Sequence, residues 1–342
     1  MLSYLSKFTT INVASADSST NPLPPPLPPS DFDSSTESPP PPPSASISLE
    51  IPKNLSSCPK PGPYEALTAS VKYLTALDAF DGTRILINKQ LSPQMLVGHN
   101  FFLGSTAFGP GKNTHFQFNA QVNASETLSV IGSLDIGGTA EGRIFKIVDN
   151  VTTKLHCACN PSQPEGDMMT LEAEYAGQTF NCTGKYGLAY GGSLAALSWC
   201  QSLTPSLVVG GEGTYIGSQQ ATSNQFGIRY SPVKSDWTGC LSYMGSQNLV
   251  FVNYKKIVTP GRVSLGSELM FEPSSKDSNV TLGAEFNLTQ SKIATCVDGK
   301  GKVQSTLSTQ LGKGGALNLL FSAEVDWPQD AFKFGYGVQI GG

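Results

Sequence analysis

The chain has 342 residues, a formal net charge of −4, and only 14% charged against 39% hydrophobic residues. Soluble domains contain about 25% charged residues, and coiled coils, helical bundles and acidic disordered proteins need more charges or helix formers than this chain has. The negative charge and the scattered Lys and Arg residues argue against nucleic acid as a partner. The sequence contains no run approaching about 18 apolar residues, so it predicts no membrane-spanning helix.

Residues 1–60 differ in composition from the rest of the chain. Fifteen of the 24 prolines precede Tyr64, whereas 34 of the 35 glycines follow it. Such a segment buries too little apolar area to offset the entropy of ordering, and its proline runs favour extended polyproline conformations. We therefore predict a disordered proline-rich N-terminal tail that acts as a tether or spacer, with a docking site for a proline-binding domain as the alternative.

One helix is predicted directly after the tail, within residues 61–80. Pro63 suits the first helical position, and Glu65 places a carboxylate near the positive end of the helix. An apolar stripe follows at helical spacing: Tyr64, Leu67, Val71 and Leu74. The pattern predicts about 14 helical residues, ending near Asp81-Gly82.

Beyond residue 81 the pattern is that of strands and turns. Between residues 115 and 123, apolar side chains alternate with polar ones, and the same period of two recurs at 169–175, 262–272, 280–288, 317–326 and 332–340. At about 14 residues per strand and turn, residues 81–342 give about 19 strands. Short segments with one apolar face are the signature of a transmembrane β-barrel, whose closure leaves no unpaired strand edge in lipid. We predict an all-β fold of this kind.

The polar faces of these strands predict a water-filled lumen with an excess of acidic groups, which would concentrate cations. The acidic candidates are Asp135, Glu172, Glu174, Glu212, Glu268, Glu272, Glu285, Glu324 and Asp326. The basic candidates are Arg84, Lys185, Arg262, Lys302 and Lys333. Uncharged polar candidates are His115, Gln117, Asn119 and Gln121.

No catalytic, metal or cofactor site is predicted. The three histidines lack an adjacent nucleophile or carboxylate motif, and the chain has no phosphate-binding glycine loop. Cys157 and Cys159 form a C-x-C without a second ligand pair at metal-binding spacing. The seven cysteines show no disulfide framework, which favours free thiols in a reducing compartment.

Three segments carry a resemblance to a known family. They are Pro61-Gly-Pro-Tyr-Glu65, Phe80-Asp-Gly-Thr-Arg84 with the following Ile87-Asn-Lys-Gln-Leu-Ser92, and Ser202-Leu-Thr-Pro-Ser-Leu-Val-Val-Gly-Gly-Glu212. From residue 61 to 342 the chain resembles the channel-forming subunit of the translocase of the outer mitochondrial membrane, within the mitochondrial porin superfamily. The resemblance implies a 19-stranded barrel with parallel first and last strands and an N-terminal segment inside the lumen.

The same resemblance implies a function, a location and partners. The barrel would conduct unfolded precursor polypeptides through the mitochondrial outer membrane, with the helix at 63–79 inside the pore and the tail reaching the intermembrane space. The implied partners are the precursors, the lipid bilayer, receptor and small helical subunits of the translocase, and further copies of the barrel.

Two alternatives remain open. A voltage-dependent anion channel-like metabolite porin would predict a basic lumen and a short N-terminus, whereas this sequence shows the opposite on both. A secreted β-sandwich binding protein is suggested by six N-x-S/T sequons. That fold would require a signal peptide, which the opening residues do not support.

The last predicted strand resembles the sorting signal of mitochondrial barrels. It combines a large polar residue, a glycine and two hydrophobic residues, namely Lys333, Gly335, Val338 and Ile340. We therefore predict that this segment directs insertion, with its even-numbered positions facing lipid; an ordinary closing strand is the alternative.

Overall fold

The computed structural model describes residues 58–106, 113–161, 166–189, 192–312 and 316–341. The predicted proline-rich tail, residues 1–60, lies outside this part of the chain except for its last three residues. The described residues form one α-helix, α1 (Ala66–Thr75), and nineteen strands.

The strands follow one another along the chain with short connections. They are β1 (Gly82–Ser92), β2 (Met95–Leu103), β3 (Thr114–Ser125), β4 (Leu128–Asp135), β5 (Ala140–Val148), β6 (Val151–Cys159), β7 (Met168–Ala176), β8 (Phe180–Ala189), β9 (Gly192–Ser202), β10 (Leu207–Ile216), β11 (Ala221–Tyr230), β12 (Trp237–Met244), β13 (Leu249–Thr259), β14 (Val263–Glu272), β15 (Asp277–Asn287), β16 (Ser291–Asp298), β17 (Lys302–Leu311), β18 (Leu317–Asp326) and β19 (Ala331–Ile340).

The sheet is a closed barrel, which confirms the predicted fold class. Each strand pairs antiparallel with the next, and β1 pairs in parallel with β19 from Gly82↔Gly335 to Ile87↔Ile340. A parallel seam is unavoidable here, because in an odd-numbered ring of alternating strands the first and last run in the same direction. The seam joins six residue pairs, whereas β18 and β19 share ten.

The helix segment identifies the inner face of the barrel. Lys185 of β8 forms an ion pair with Glu65, and Arg229 of β11 donates a hydrogen bond to the Ala66 carbonyl. Side chains alternate across a strand, so each pairing register carries this face to the next strand. Following the registers through all nineteen strands returns to the same face.

The outer face is apolar, and the described strands place no carboxylate on it. Its large exposed hydrophobic residues include Leu171, Leu197, Phe226, Leu282 and Phe332. The charged residues on this face of the described strands are Lys89, Lys146 and Lys256. All three lie in the second halves of strands that run in the direction of β1. An apolar outer face is the pattern of a barrel surrounded by lipid.

Aromatic side chains cluster on the outer face at the same end as these lysines. Phe180 stacks on Trp199 with ring centroids 4.7 Å apart. Trp237 contacts the rings of Tyr230 and Tyr254 at 5.5 and 5.9 Å. Rings at the apolar–polar boundary are typical of barrels in membranes. Among the described residues, no helix has the length and apolar character needed to cross a bilayer.

Helix α1 is shorter than the predicted 14 residues. Pro63 and Tyr64 form a first turn whose carbonyls accept hydrogen bonds from the amides of Ala66 and Leu67. The helix ends where the Ala76 amide donates to the Lys72 carbonyl, and Ala76 leaves helical geometry. The residues that follow, up to Asp81, are not helical because the chain must extend to reach β1.

The barrel wall beneath α1 is built from small residues. Leu67, Val71 and Leu74 are at most 1% exposed against it. A ten-residue helix is marginal alone, and burying each such side chain contributes about 1.5–3 kcal/mol, so packing on the wall holds the helix in place. At Gly283 of β15, an added Cβ would come closer than 3.0 Å to the Leu74 carbonyl oxygen.

We predict that Gly283→Ala displaces α1 without opening the barrel. Gly184→Ala in β8 is the matched control, since nothing lies within 4 Å of an added Cβ there. At such an open strand position, replacing glycine by alanine gains about 0.5–1 kcal/mol, whereas at Gly283 the helix backbone must move. Amide hydrogen exchange over residues 66–75 should be about tenfold faster in Gly283→Ala alone. Unchanged exchange would contradict this packing.

Candidate functional site: the inner wall of the barrel

The inner wall, defined as the inward-facing residues of the nineteen strands, carries almost all the strand charges. Its acidic side chains are Asp135, Glu141, Glu172, Glu174, Glu212, Glu268, Glu272, Asp277, Glu285, Asp298, Glu324 and Asp326. Its basic side chains are Arg84, Arg143, Lys154, Lys185, Arg229, Lys255, Lys292, Lys302 and Lys333. Twelve acids therefore face nine bases.

All nine predicted carboxylates lie on this wall; that they line a conducting pore stays a prediction. The four predicted polar residues of β3 lie there too, since Gln117 pairs in register with Asp135 of β4. His115 Nδ1 lies 3.2 Å from Asp135 Oδ1. Arg262 was predicted to face inward from a strand, but it lies in the turn before β14, where its amide donates to the Thr259 carbonyl.

Sequence reasoning missed three acidic and five basic residues of the wall. In β5, Phe145 faces inward beside Glu141 and Arg143, while Lys146 faces outward, so the alternation is broken. In β13, two lysines stand side by side, and only the pairing of Asn253 with Glu268 shows which one faces inward. The remaining misses are Lys154, Arg229, Asp277, Lys292 and Asp298. Cross-strand register, rather than a further sequence signal, identifies these residues.

Five of the acidic side chains form ion pairs with Lys or Arg, and a sixth, Asp135, lies beside His115. Lys154 Nζ lies 2.9 Å from Glu172 and 3.9 Å from Glu174. The other pairs are Lys292–Glu285 at 3.0 Å, Lys302–Glu324 at 3.1 Å, Lys333–Glu324 at 3.7 Å, Arg143–Glu141 at 3.3 Å and His115–Asp135 at 3.2 Å. Except for Arg143–Glu141, which lies within β5, these contacts join neighbouring strands and support their registers in addition to the backbone ladder.

The other wall carboxylates form no ion pair with a residue that the structure describes. They are Glu212, Glu268, Glu272, Asp277, Asp298 and Asp326. Four of them are the terminal residues of their strands, at the end of the barrel where β1 begins. Asp135 ends β4 at the same rim. At the opposite rim the described strands end in uncharged residues. The negative charge of the wall is therefore concentrated at the end of the lumen where β1 begins.

The segment between α1 and β1 crosses the seam on its inner side. The Arg84 guanidinium forms an ion pair with Asp78 at 2.9 Å and lies 4.3 Å above the ring of Phe80. The Phe80 amide donates to Ser322 Oγ of β18 at 3.0 Å, and the Phe80 carbonyl covers Gly335 of β19. These contacts tie β18, β19 and β1 together where the backbone ladder has only six residue pairs.

Asp81 extends this contact to the loop after β2. Its carboxylate accepts hydrogen bonds from the Ser105 hydroxyl at 2.7 Å and from the amide and hydroxyl of Thr106 at 2.8 and 2.6 Å. Burial raises the pKa of the Asp81 carboxyl, but the hydrogen bonds from Thr106 and Ser105 outweigh it, so the pKa lies below its usual value. In its charged form this carboxylate therefore stabilises the contact between the start of β1 and the loop after β2.

The helix end of the segment lies at the opposite rim. Ser202, the last residue of β9, donates a hydrogen bond to the Pro59 carbonyl at 2.7 Å. Tyr64 packs against Leu67, Cys200 and Val208. From Pro59 to Asp81 the chain thus crosses the lumen from one rim to the other.

The predicted insertion residues divide between the two faces of β19. Lys333 and Gly335 face inward, whereas Val338 and Ile340 face outward. Gly335 also lies against Phe80, where an added Cβ would overlap the Phe80 carbonyl oxygen. This glycine therefore has a packing role at the seam, whatever its role in insertion.

All seven cysteines are free thiols, and the six that follow Cys58 lie in barrel strands. Cys200, Cys240 and Cys296 are buried on the inner wall near α1, and Cys240 Sγ donates to the Leu67 carbonyl at 3.1 Å. Cys157 and Cys182 face outward. The described residues contain no cluster of three or more metal-ligating side chains.

The Asp81 contact predicts a pH-dependent difference between the native chain and Asp81→Asn. The lowered pKa means that the contribution of this carboxylate is present above its unfolded pKa of about 3.9 and is lost as the pH falls through the folded value. Thermal unfolding should show the native chain as the more stable at pH 6 and the two curves converging below about pH 4. A difference that stayed constant down to pH 2.5 would contradict the assignment.

Comparisons with known proteins identify relatives over most of the chain. The family profile described as eukaryotic porin matches residues 60–335. The chain is 26% identical over 304 residues to a probable mitochondrial import receptor subunit TOM40-2 of Arabidopsis thaliana, covering 86% of this chain and 94% of that protein. It is 25% identical to the TOM40 homolog of Xenopus laevis over 83% of this chain and 84% of that protein.

The chain also matches a further sequence relative and a solved structure over most of its length. The import receptor subunit TOM40 of Saccharomyces cerevisiae is 26% identical to this chain, over 82% of this chain and 78% of that protein. Among solved structures, a mutant porin of Rh. blastica has a TM-score of 0.39 at 9% identity, covering 72% of this chain and 96% of that one. That structural similarity is too low to carry an argument.

Proposed function

Because this chain belongs to the eukaryotic porin family, we propose that it is the protein-conducting channel of a mitochondrial outer-membrane translocase. In this role it passes unfolded precursor polypeptides with basic presequences through the lumen. The observation that carries the proposal is the inner wall, which holds all the strand carboxylates of a closed barrel.

The size of the barrel supports passage of a polypeptide. Nineteen strands spaced about 4.8 Å apart and tilted by about 40° enclose a ring roughly 38 Å across between backbones. A helix with its side chains is about 10–12 Å wide. After α1 and the wall side chains take their space, the lumen still admits one extended or helical segment.

The charges of the wall support attraction of a basic segment without tight retention. Fixed carboxylates in a narrow aqueous space raise the local concentration of cations. Six of them have no ion pair within the described chain, and the rim where β1 begins is the more acidic one. Weak contacts at several positions let a passing chain leave again. Such a channel is passive, so direction comes from other components.

The wider assembly follows from the same proposal. Curated relatives are called import receptor subunits, and a subunit implies other translocase subunits as partners. We propose that receptors, small helical subunits and further barrels contact the apolar outer face within the outer membrane. Eukaryotic porins are channels, and a role without catalysis fits the wall.

We predict that the wall carboxylates make the pore cation-selective. Replacing Glu172, Glu174, Glu268 and Glu285 by Gln should shift the reversal potential of the reconstituted barrel towards anions and weaken block by a basic presequence peptide. The effect should be larger at low salt, where screening is weaker. Planar-bilayer recording measures both quantities.

The matched control replaces the same four residues by Asp, which keeps the charge and changes the length. That variant should retain the cation preference. Reversal potentials unchanged in the Gln variant would overturn the role of these carboxylates. Anion preference in the native chain, with no peptide block, would instead favour an anion-selective metabolite porin.

We also predict that the last strand directs insertion. Ile340→Gln should refold in detergent with only about 1–2 kcal/mol lost, because the change is local, yet it should fail to insert into isolated mitochondria. Leu282→Gln, at an outward position of β15, is the control and should insert. Gly335→Ala is less informative because it also disturbs Phe80. Normal insertion of Ile340→Gln would make β19 a purely structural strand.

A further inference from the structure

Three polar residues beneath and along α1 have buried atoms without a hydrogen-bond partner. Asn253 of β13 is 1% exposed, and both its Nδ2 and its Oδ1 are unpartnered. Glu268 Oε2 on β14 and Ser70 Oγ on the helix are also buried atoms without a hydrogen-bond partner. Buried polar groups are almost always paired, because leaving them unpaired destabilises the folded state. These groups therefore point to a ligand or a state in which they are paired.

The three residues lie at the same place in the barrel. Asn253 and Glu268 are direct cross-strand partners on the inner wall. Leu67 lies against Gly227 of β11, and Leu74 lies against Gly266 of β14. Ser70 lies one turn after Leu67 and one turn before Leu74, so it lies over the strands between these glycines. We call Asn253 and Glu268 the covered site.

The present occupant of the covered site indicates what else can bind there. Helix α1 is amphipathic, with Leu67, Val71 and Leu74 against the wall. It also carries Lys72, which interacts electrostatically with Glu268 and lies 5.9 Å from the ring of Phe251. The wall at this point thus accepts a short amphipathic segment with a basic residue. It does so while leaving the Asn253 amide unpaired.

We infer that the covered site is a binding site for the polypeptide in transit, and that α1 is a resident segment displaced from it. This inference rests on the proposed function. The Asn253 side chain offers an amide NH2 group as donor and a carbonyl oxygen as acceptor, which match the C=O and N–H of an extended peptide. Glu268 offers a carboxylate to a Lys or Arg side chain. A chain that pairs these groups binds better than α1 does, which shifts the helix off the wall.

Native cysteines report this exchange directly. Cys240 is 4% exposed and donates to the Leu67 carbonyl, so it reacts with a thiol reagent only when α1 leaves. Cys182 faces outward and should be unaffected. The experiment uses the full-length barrel in bilayers, N-ethylmaleimide, and mass spectrometry of each cysteine. The probe is a lysine-rich amphipathic peptide; the same peptide with Gln for Lys is its control.

The basic peptide should accelerate labelling of Cys240 by about fivefold or more, the usual lower range for two coupled events, and leave Cys182 unchanged. Glu268→Gln, which keeps the side-chain shape, should remove most of the acceleration. Glu126→Gln, in the turn after β3, should not. Asn253→Leu provides a second variant. Its apolar side chain should slow the labelling of Cys240 in the absence of peptide, because α1 on the wall then no longer covers an unpaired amide.

The outcomes separate this inference from the proposed function. A peptide that blocks conductance but leaves Cys240 labelling unchanged, or slows it, overturns the covered site and leaves the channel role intact. A peptide that neither blocks nor accelerates overturns both. Faster basal labelling in Asn253→Leu, with circular dichroism showing an intact barrel, would also contradict the inference, because the unpaired amide would then be stabilising the helix.

Discussion

The parallel pairing of β1 with β19 is the constraint on which the other features depend. It follows from an odd strand number, and it places the start of β1 at the rim opposite the end of β19. The residues before β1 are held near Ser202 at that other rim, so the chain has to traverse the lumen to begin the barrel. The segment that carries α1 therefore runs through the lumen, where contacts with the wall hold it.

Closure also explains why charged and aromatic residues gather around Phe80. Six residue pairs hold the seam, fewer than the nine that join β1 to β2. Parallel pairing is also slightly less stable per residue. Ser322 of β18 accepts a hydrogen bond from the Phe80 amide, and Arg84 of β1 holds Asp78 and the Phe80 ring, which adds contacts where the ladder is short. The segment from α1 to β1 therefore stabilises the pairing of the first and last strands as well as linking the helix to the barrel.

The fold could be predicted wherever the alternation within a single strand shows which of its side chains face inward. In β3 and β14, clean alternation identified the inward residues, and turn spacing gave the number of strands. Prediction failed where an inward residue is not polar, as with Phe145, or where two charges are adjacent, as with Lys255 and Lys256. Those cases need the register between strands, which depends on barrel closure rather than on local pattern.

The inner wall illustrates a second limit. Lys154 and Glu172 are 18 positions apart, and Lys302 and Glu324 are 22 apart, so their pairing appears only once neighbouring strands are aligned. The unpaired atoms of Asn253 likewise depend on where α1 lies. A sequence shows that these residues are polar, but it does not show which polar group lacks a partner. The helix was predicted too long because the residues after Thr75 extend to reach β1, and the position of β1 is not visible in the local pattern.

The outward lysines make the outer face of the barrel asymmetric along its axis. Lys89, Lys146 and Lys256 all lie towards one rim, and the described strands place no carboxylate beside them on that face. A lysine near an anionic lipid surface contributes about 1 kcal/mol. Where the opposite leaflet is uncharged, the three together would favour placing that rim in the anionic leaflet by up to about 3 kcal/mol. Lipid asymmetry would then contribute to which end of the lumen faces each compartment.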